Sequence, residues 1–196
     1  MTIPNILTVM RLILTPFFAV YLLRETPEGL WIASAIFVVA ALTDTADGYL
    51  ARKMGAETRI GQILDPLADK LLVALAYVSF LVLDLPSVKA WMVGTILGRE
   101  VLVTAFRTFA GRRGVTILSS PFGKWKTTFQ MVLVFVLLAL MSYRAMSDPT
   151  PAYWKSPGDP FAGHLLYGGL VVTTLITLLS GLDYFWKNRS LLRGSA

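Results

Sequence analysis

Six apolar stretches dominate the chain, at residues 3–23, 30–50, 63–83, 90–109, 129–143 and 165–186. A helix needs about 20 mostly apolar residues to cross a bilayer. Backbone polar groups in hydrocarbon must be satisfied internally, so open strands cannot span it. The pattern therefore predicts an all-α integral membrane protein with six transmembrane helices. A chain of 196 residues leaves no room for a separate soluble domain, so residues 1–196 read as one membrane domain. Composition agrees: 55% of residues are hydrophobic and 15% charged, where a soluble domain carries about a quarter charged. The absence of cysteine excludes disulfides and thiolate metal sites.

The net charge of +6 would suggest a nucleic-acid partner in a soluble protein. In a membrane protein it is first an excess of Lys and Arg in cytoplasmic loops, and no nucleic acid is expected. The segments after stretches two, four and six hold eleven such residues: Arg52, Lys53, Arg59, Arg107, Arg112, Arg113, Lys124, Lys126, Lys187, Arg189 and Arg193. The segments after stretches one, three and five hold four: Arg24, Lys89, Arg144 and Lys155. Both termini are thus expected in the cytoplasm, in the cell membrane, with the even-numbered loops beside them. The first stretch resembles a leader peptide only superficially. It lacks a basic start, carries Arg11 and Pro16 inside, and shows no clear cleavage site. An uncleaved helix is expected there, with an amphipathic interfacial start before Pro16 as an alternative.

Four aspartates sit where apolar residues belong. Asp44 and Asp47 are three apart, and Asp65 and Asp69 four apart, so each pair shares a helix face. Asp44 lies 14 residues from Leu30, and Asp69 lies 14 residues from Leu83. That is about 21 Å in each case, so a hairpin turning near Gly55 brings both pairs to one level. An ionisable residue at this depth costs several kcal/mol and is a functional hypothesis by default. Four carboxylates at one level need protons or cations to coexist. Oxygen-only ligands suit hard divalent ions such as Mg²⁺ or Mn²⁺. Four acids suggest two ions, an arrangement suited to phosphate chemistry, or one ion and a proton acceptor. A divalent-cation transporter is the competing reading, since carboxylates also line pores.

The run Asp44-Thr-Ala-Asp47-Gly48-Tyr-Leu-Ala51-Arg52, followed after eight residues by Gly61-Gln-Ile-Leu-Asp65-Pro-Leu-Ala-Asp69, resembles the signature of the CDP-alcohol phosphotransferase family, with every fixed position and the gap matched. The resemblance implies a six-helix membrane enzyme, usually a homodimer, that moves a phosphatidyl or similar group from a CDP-linked donor to an alcohol and releases CMP. It implies Asp44, Asp47, Asp65 and Asp69 as metal carboxylates and Asp69 also as general base. Gly48, Ala51, Arg52 and Gly61 belong to the signature, and Gly48 and Arg52 match positions that meet the CDP moiety. Thr58 matches a further CDP contact. The opening Pro4-Asn5-Ile6-Leu7-Thr8 is similar to the family's amino-terminal segment, which brings Asn5 and Thr8 to the nucleotide.

The acceptor is addressed by a second region. Arg107, Arg112, Lys124 and Lys126 cluster near the cytoplasmic ends of stretches four and five. Such cations ordinarily mark topology or meet membrane lipid headgroups; here they also suit an anion site for a phosphorylated alcohol. Arg99-Glu100 through Arg107, with Ser120-Pro-Phe-Gly123-Lys124-Trp-Lys126-Thr127 and Gln130, is similar to the branch of the family that makes phosphatidylglycerophosphate. That resemblance implies CDP-diacylglycerol as donor and sn-glycerol 3-phosphate as acceptor, at a site facing the cytoplasm. The alternatives are a phosphatidylinositol phosphate synthase, whose acceptor would want similar cations, or another member of the family with a different acceptor, such as a cardiolipin or phosphatidylserine synthase. A serine acceptor carries no phosphate and fits the basic cluster less well. Arg99 and Glu100 fall near mid-membrane and need partners, with Asp183 one option. His164 reads as structural, and Trp31, Trp91 and Trp186 as interfacial anchors.

Overall fold

The structure, a computed structural model, describes residues 3–54, 59–112, 121–147 and 160–189, and their side chains except those of 3–5, 45–54, 59–67, 69, 112, 121–124, 147 and 160–162. The described residues form six helices and no strand: α1 (Ile3–Leu22), α2 (Pro27–Met54), α3 (Arg59–Val82), α4 (Ala90–Arg112), α5 (Pro121–Ser147) and α6 (Pro160–Lys187). Each apolar stretch is a helix, and five of the six helices run beyond the stretch that marks them. Most of the extensions carry charged or polar residues, such as Glu28, Arg52, Lys53, Arg59, Arg112, Lys124 and Lys126, which a hydropathy pattern excludes. Pro27, Pro121 and Pro160 open three helices, where a missing N–H costs nothing. Thr26 caps α2, accepting a hydrogen bond from the Gly29 amide at 3.1 Å. Glu25 and Asp84, at φ 55° and 53°, turn the chain just after α1 and α3. α1 continues unbroken through Pro16.

The sorting of side chains is that of a membrane protein. On α6 the buried residues include Thr173, Thr174, Thr177 and Ser180, while Leu175, Leu178, Leu179 and Leu182 are exposed. Water would reverse this arrangement; lipid favours it, because tails are as apolar as leucine and small hydroxyl residues let helices approach. The hydroxyls are satisfied within the helix: Thr173, Thr174 and Thr177 donate to the carbonyls of Gly169, Leu170 and Thr173 at 2.7–2.8 Å. Three described helices are long and apolar enough to cross a membrane, over Pro27–Asp44, Trp125–Met146 and Gly163–Lys187. Trp31, Trp91 and Trp186 are exposed, as membrane anchors would be.

The chain divides into two compact units. The first comprises residues 1–86 and 134–159. In it α1 packs on α2 and α3. Thr8, Arg11, Thr15, Phe18 and Leu22 of α1 are buried, at alternating spacings of three and four. The buried residues of α2, Leu30, Ala33, Phe37 and Ala40, keep the same spacing, and Asp44 is its next member. Phe18 meets Phe37 with ring centroids 5.7 Å apart, and Arg11 meets Asp44, so the two helices run antiparallel. Continuing that register carries Thr8 and Asn5 alongside the turns of α2 that hold Asp47, Gly48 and Ala51.

The second unit comprises residues 87–133 and 160–196. Ser87 bonds the Gly163 carbonyl, Arg99 bonds Ser180, and Phe106 packs on Tyr184, so α4 and α6 run parallel. The α4 seam reads Met92, Ile96, Arg99, Val103, Phe106 and Ala110, again at alternating fours and threes, with Arg99 in the middle of an otherwise apolar row. Gly181 makes room for it: a Cβ there would lie 3.1 Å from Arg99 Cγ.

Candidate active site

Asp44 is the member of the aspartate signature whose side chain is described. It lies on α2 ten residues before Met54, and Asp69 lies on α3 ten residues after Arg59. Both are thus well inside their helices, about 15 Å from the ends that the 55–58 segment connects. The Asp44 side chain is 34% exposed, and its Oδ1 lies 2.6 Å from Arg11 Nη1. Arg11 is fully buried, and its Nε donates to the Ala40 carbonyl at 3.3 Å. Thr43 donates to the same carbonyl at 2.8 Å. Arg11 therefore ties α1 to the turn of α2 that ends in the first signature aspartate. A carboxylate offers about four acceptor positions, so an ion pair on one oxygen is compatible with a cation on the other.

The backbones of Asp47, Gly48, Ala51 and Arg52 continue α2, and those of Gly61, Asp65 and Asp69 belong to α3. Their side chains lie outside the described residues, as does that of Asn5 on α1. Thr58 lies outside them altogether. Thr8 is fully buried on the inner face of α1. Among the described residues, which exclude the side chains of Asp47, Asp65 and Asp69, no cluster of three or more His, Cys, Asp or Glu occurs. The donor chemistry of the signature, carboxylate oxygen alone, fits a hard divalent cation.

The basic region separates into unlike members. Arg107 is exposed on α4. Lys126, expected in a loop, lies in the second turn of α5, because that helix starts at Pro121 rather than near Phe129. It is 2% exposed and its ammonium is paired with Glu100 Oε1. The same carboxylate oxygen takes Arg99 Nη1 at 3.2 Å. Arg99 Nη2 donates to Ser180 Oγ at 2.7 Å. Arg99 thus finds its partner on α6 in Ser180; Asp183, the option named from sequence, pairs with Lys187 instead at 2.9 Å. One turn on, Gln130 donates to Thr177 at 3.4 Å. The side chains of Arg112 and Lys124 lie outside the described residues. Among the described residues, the buried Lys126 and the largely buried Arg99 share the Glu100 carboxylate, and Arg107 adds an exposed third charge farther along α4. That excess suits an anion, since buried cations are costly unless compensated.

Two residues escaped sequence reasoning as partners of the site. Arg11 weighed only against a leader peptide, and Ser180 not at all. The signal for both was the seam: Arg11 sits at a buried α1 position, and Ser180 lies on the hydroxyl face of α6.

Comparison with known proteins bears on both regions. The profile of the family described as CDP-alcohol phosphatidyltransferase matches residues 1–178. A protein of Cereibacter sphaeroides is 41% identical over 95% of both chains. One of Bacillus subtilis is 33% identical over 98% of both, and one of Escherichia coli 37% identical over 96% of this chain and 95% of its own. All three bear the name CDP-diacylglycerol–glycerol-3-phosphate 3-phosphatidyltransferase. With the signature complete and the profile matched over residues 1–178, the chain belongs to the CDP-alcohol phosphatidyltransferase family.

Proposed function

We propose that this membrane enzyme transfers the phosphatidyl group of CDP-diacylglycerol to sn-glycerol 3-phosphate, giving phosphatidylglycerophosphate and CMP in phospholipid biosynthesis. One observation carries the reading: relatives of that name share 33–41% of their residues with this chain over nearly its full length. The cation excess around Lys126 supports a phosphorylated acceptor over an uncharged one. In this reading the whole chain acts as one domain in the cell membrane, crosses it six times, keeps both termini and its active site on the cytoplasmic side, and pairs as a homodimer.

Asp44, Asp47, Asp65 and Asp69 hold the metal, and Asn5, Thr8, Gly48, Ala51, Arg52, Thr58 and Gly61 line the CDP moiety. The charge of the diphosphate is offset by divalent cations when bound, Mg²⁺ or Mn²⁺, two of them in this reading. Arg52 adds a guanidinium suited to phosphate oxygens. Gly48 leaves space between helices for the nucleotide. Arg107, Arg112, Lys124 and Lys126 hold the acceptor phosphate. Asp69 takes the proton of the acceptor hydroxyl. The hydroxyl oxygen bonds to the β-phosphorus, the bond from that phosphorus to the bridging oxygen breaks, and its electron pair leaves with CMP.

The test is acceptor competition. Purified protein with CDP-diacylglycerol is offered sn-glycerol 3-phosphate, inositol phosphate, phosphatidylglycerol and serine, and CMP release is followed. The first is expected to be preferred; preference for any other overturns the acceptor. A second expectation concerns Lys126→Met. Glu100 keeps Arg99 as a partner in that variant, so the network survives. KM for glycerol 3-phosphate should rise about 10- to 100-fold, from loss of one charged contact, with KM for CDP-diacylglycerol unmoved. Equal effects on both substrates would remove Lys126 from the acceptor site.

A further inference from the structure

Two buried donors in the α4–α6 seam have no partner: Arg99 Nε and the Tyr184 hydroxyl. Tyr184 is 4% exposed, with its ring held edge-on against Phe106 at 6.0 Å and Phe185 at 6.0 Å. It follows Ser180, the anchor of Arg99, by one turn of α6. Arg99 is within electrostatic reach of both Tyr184 and Arg107. An unsatisfied buried donor costs free energy in the folded protein, and native structures keep few of them. Two in one seam, beside an excess of positive charge, call for an acceptor that the described residues do not supply.

The aromatic packing and the Ser180 anchor hold these side chains in place. Arg99 engages Glu100 through Nη1 and Ser180 through Nη2, which leaves Nε as the nitrogen with no hydrogen bond. The missing group is an acceptor of at least two hydrogen bonds and bears negative charge. A phosphate oxygen has that chemistry, and a neutral hydroxyl group lacks the charge. We propose that Arg99 Nε and the Tyr184 hydroxyl donate to the phosphate of the acceptor substrate, making them specificity-determining residues for a phosphorylated alcohol. The inference rests on the acceptor reading above; it gives Arg99 a direct contact with the phosphate and adds Tyr184, which neither the signature nor the basic region contains.

Tyr184→Phe is the informative variant, because it removes one oxygen and nothing else. If the hydroxyl serves only substrate, its loss relieves an orphaned donor, and Tm should be no lower than that of the wild type. KM for glycerol 3-phosphate should nevertheless rise on the order of 10- to 100-fold, the worth of a hydrogen bond to a charged group. KM for CDP-diacylglycerol should stay as it was, and the preference for glycerol 3-phosphate over glycerol should shrink by a similar factor. Inorganic phosphate, as a competitive inhibitor against glycerol 3-phosphate, should weaken in parallel. Arg99→Lys keeps the charge but loses Nε and should shift the same constants in the same direction. A Tyr184→Phe enzyme with wild-type constants for both substrates overturns the proposal. So does an effect seen only as altered response to the phosphatidylglycerol content of the vesicles, which would assign the donors to a lipid headgroup. A wild-type enzyme that ignores glycerol 3-phosphate would remove the acceptor reading itself, a result the competition assay gives independently.

Discussion

Asp69→Asn is expected to bind CDP-diacylglycerol and fail to transfer from it. The substitution keeps size and one carbonyl oxygen but cannot accept the acceptor's proton. General-base assistance contributes about 10²–10⁴-fold, so CMP release at saturating acceptor should fall by at least two orders of magnitude. Asp69 is also proposed as a metal ligand, so the variant's metal requirement should rise as well. The two roles separate on titration: added Mg²⁺ should restore nucleotide-lipid binding without restoring the rate. Recovery of the wild-type rate by metal alone would leave Asp69 a ligand and remove it from proton transfer. Asp44→Asn differs in kind. Its neighbour Arg11 is buried, so neutralising Asp44 removes the opposite charge 2.6 Å from that guanidinium, and loss of stability should accompany loss of activity.

Helix number and type were legible because six apolar runs separated by polar segments admit few other solutions in lipid. Helix ends were less so. α5 begins eight residues before its apolar run, at Pro121, and this moved Lys126 from an expected loop to a buried helical position. Hydropathy treats a lysine as a boundary, whereas here Glu100 offsets its charge from another helix. Pairings across helices were illegible for the same reason. Nothing in the local pattern says that Arg11 meets Asp44, 33 residues away, or that Arg99 meets Ser180 rather than Asp183. Ion pairs and hydroxyl contacts of this kind depend on register. Register is set by which small and large residues interdigitate, as Gly181 and Arg99 do. The aspartate signature, by contrast, was legible without any structure, since its spacing alone puts each pair on one helical face.

The seams also say why the chain tolerates so many polar groups in an apolar setting. Arg11 and Asp44 form an ion pair between α1 and α2. Lys126, Glu100, Arg99 and Ser180 form one connected chain through α5, α4 and α6. In lipid, an isolated charge costs several kcal/mol, so each is placed where another group shares the cost. Such networks hold side chains at fixed positions, which is what recognition of a phosphate or a diphosphate requires.

The most direct measurement of the account is CMP release by purified protein in lipid nanodiscs as divalent cations are withdrawn and returned. Four aspartates within two apolar helices are explained here by a hard cation bound with the diphosphate of the lipid donor. Removal of divalent ions with chelator should therefore abolish product formation, and Mg²⁺ or Mn²⁺ should restore it, with Asp44→Asn and Asp65→Asn shifting the metal dependence to higher concentration. Turnover of CDP-diacylglycerol that continues undiminished in chelator would contradict the account.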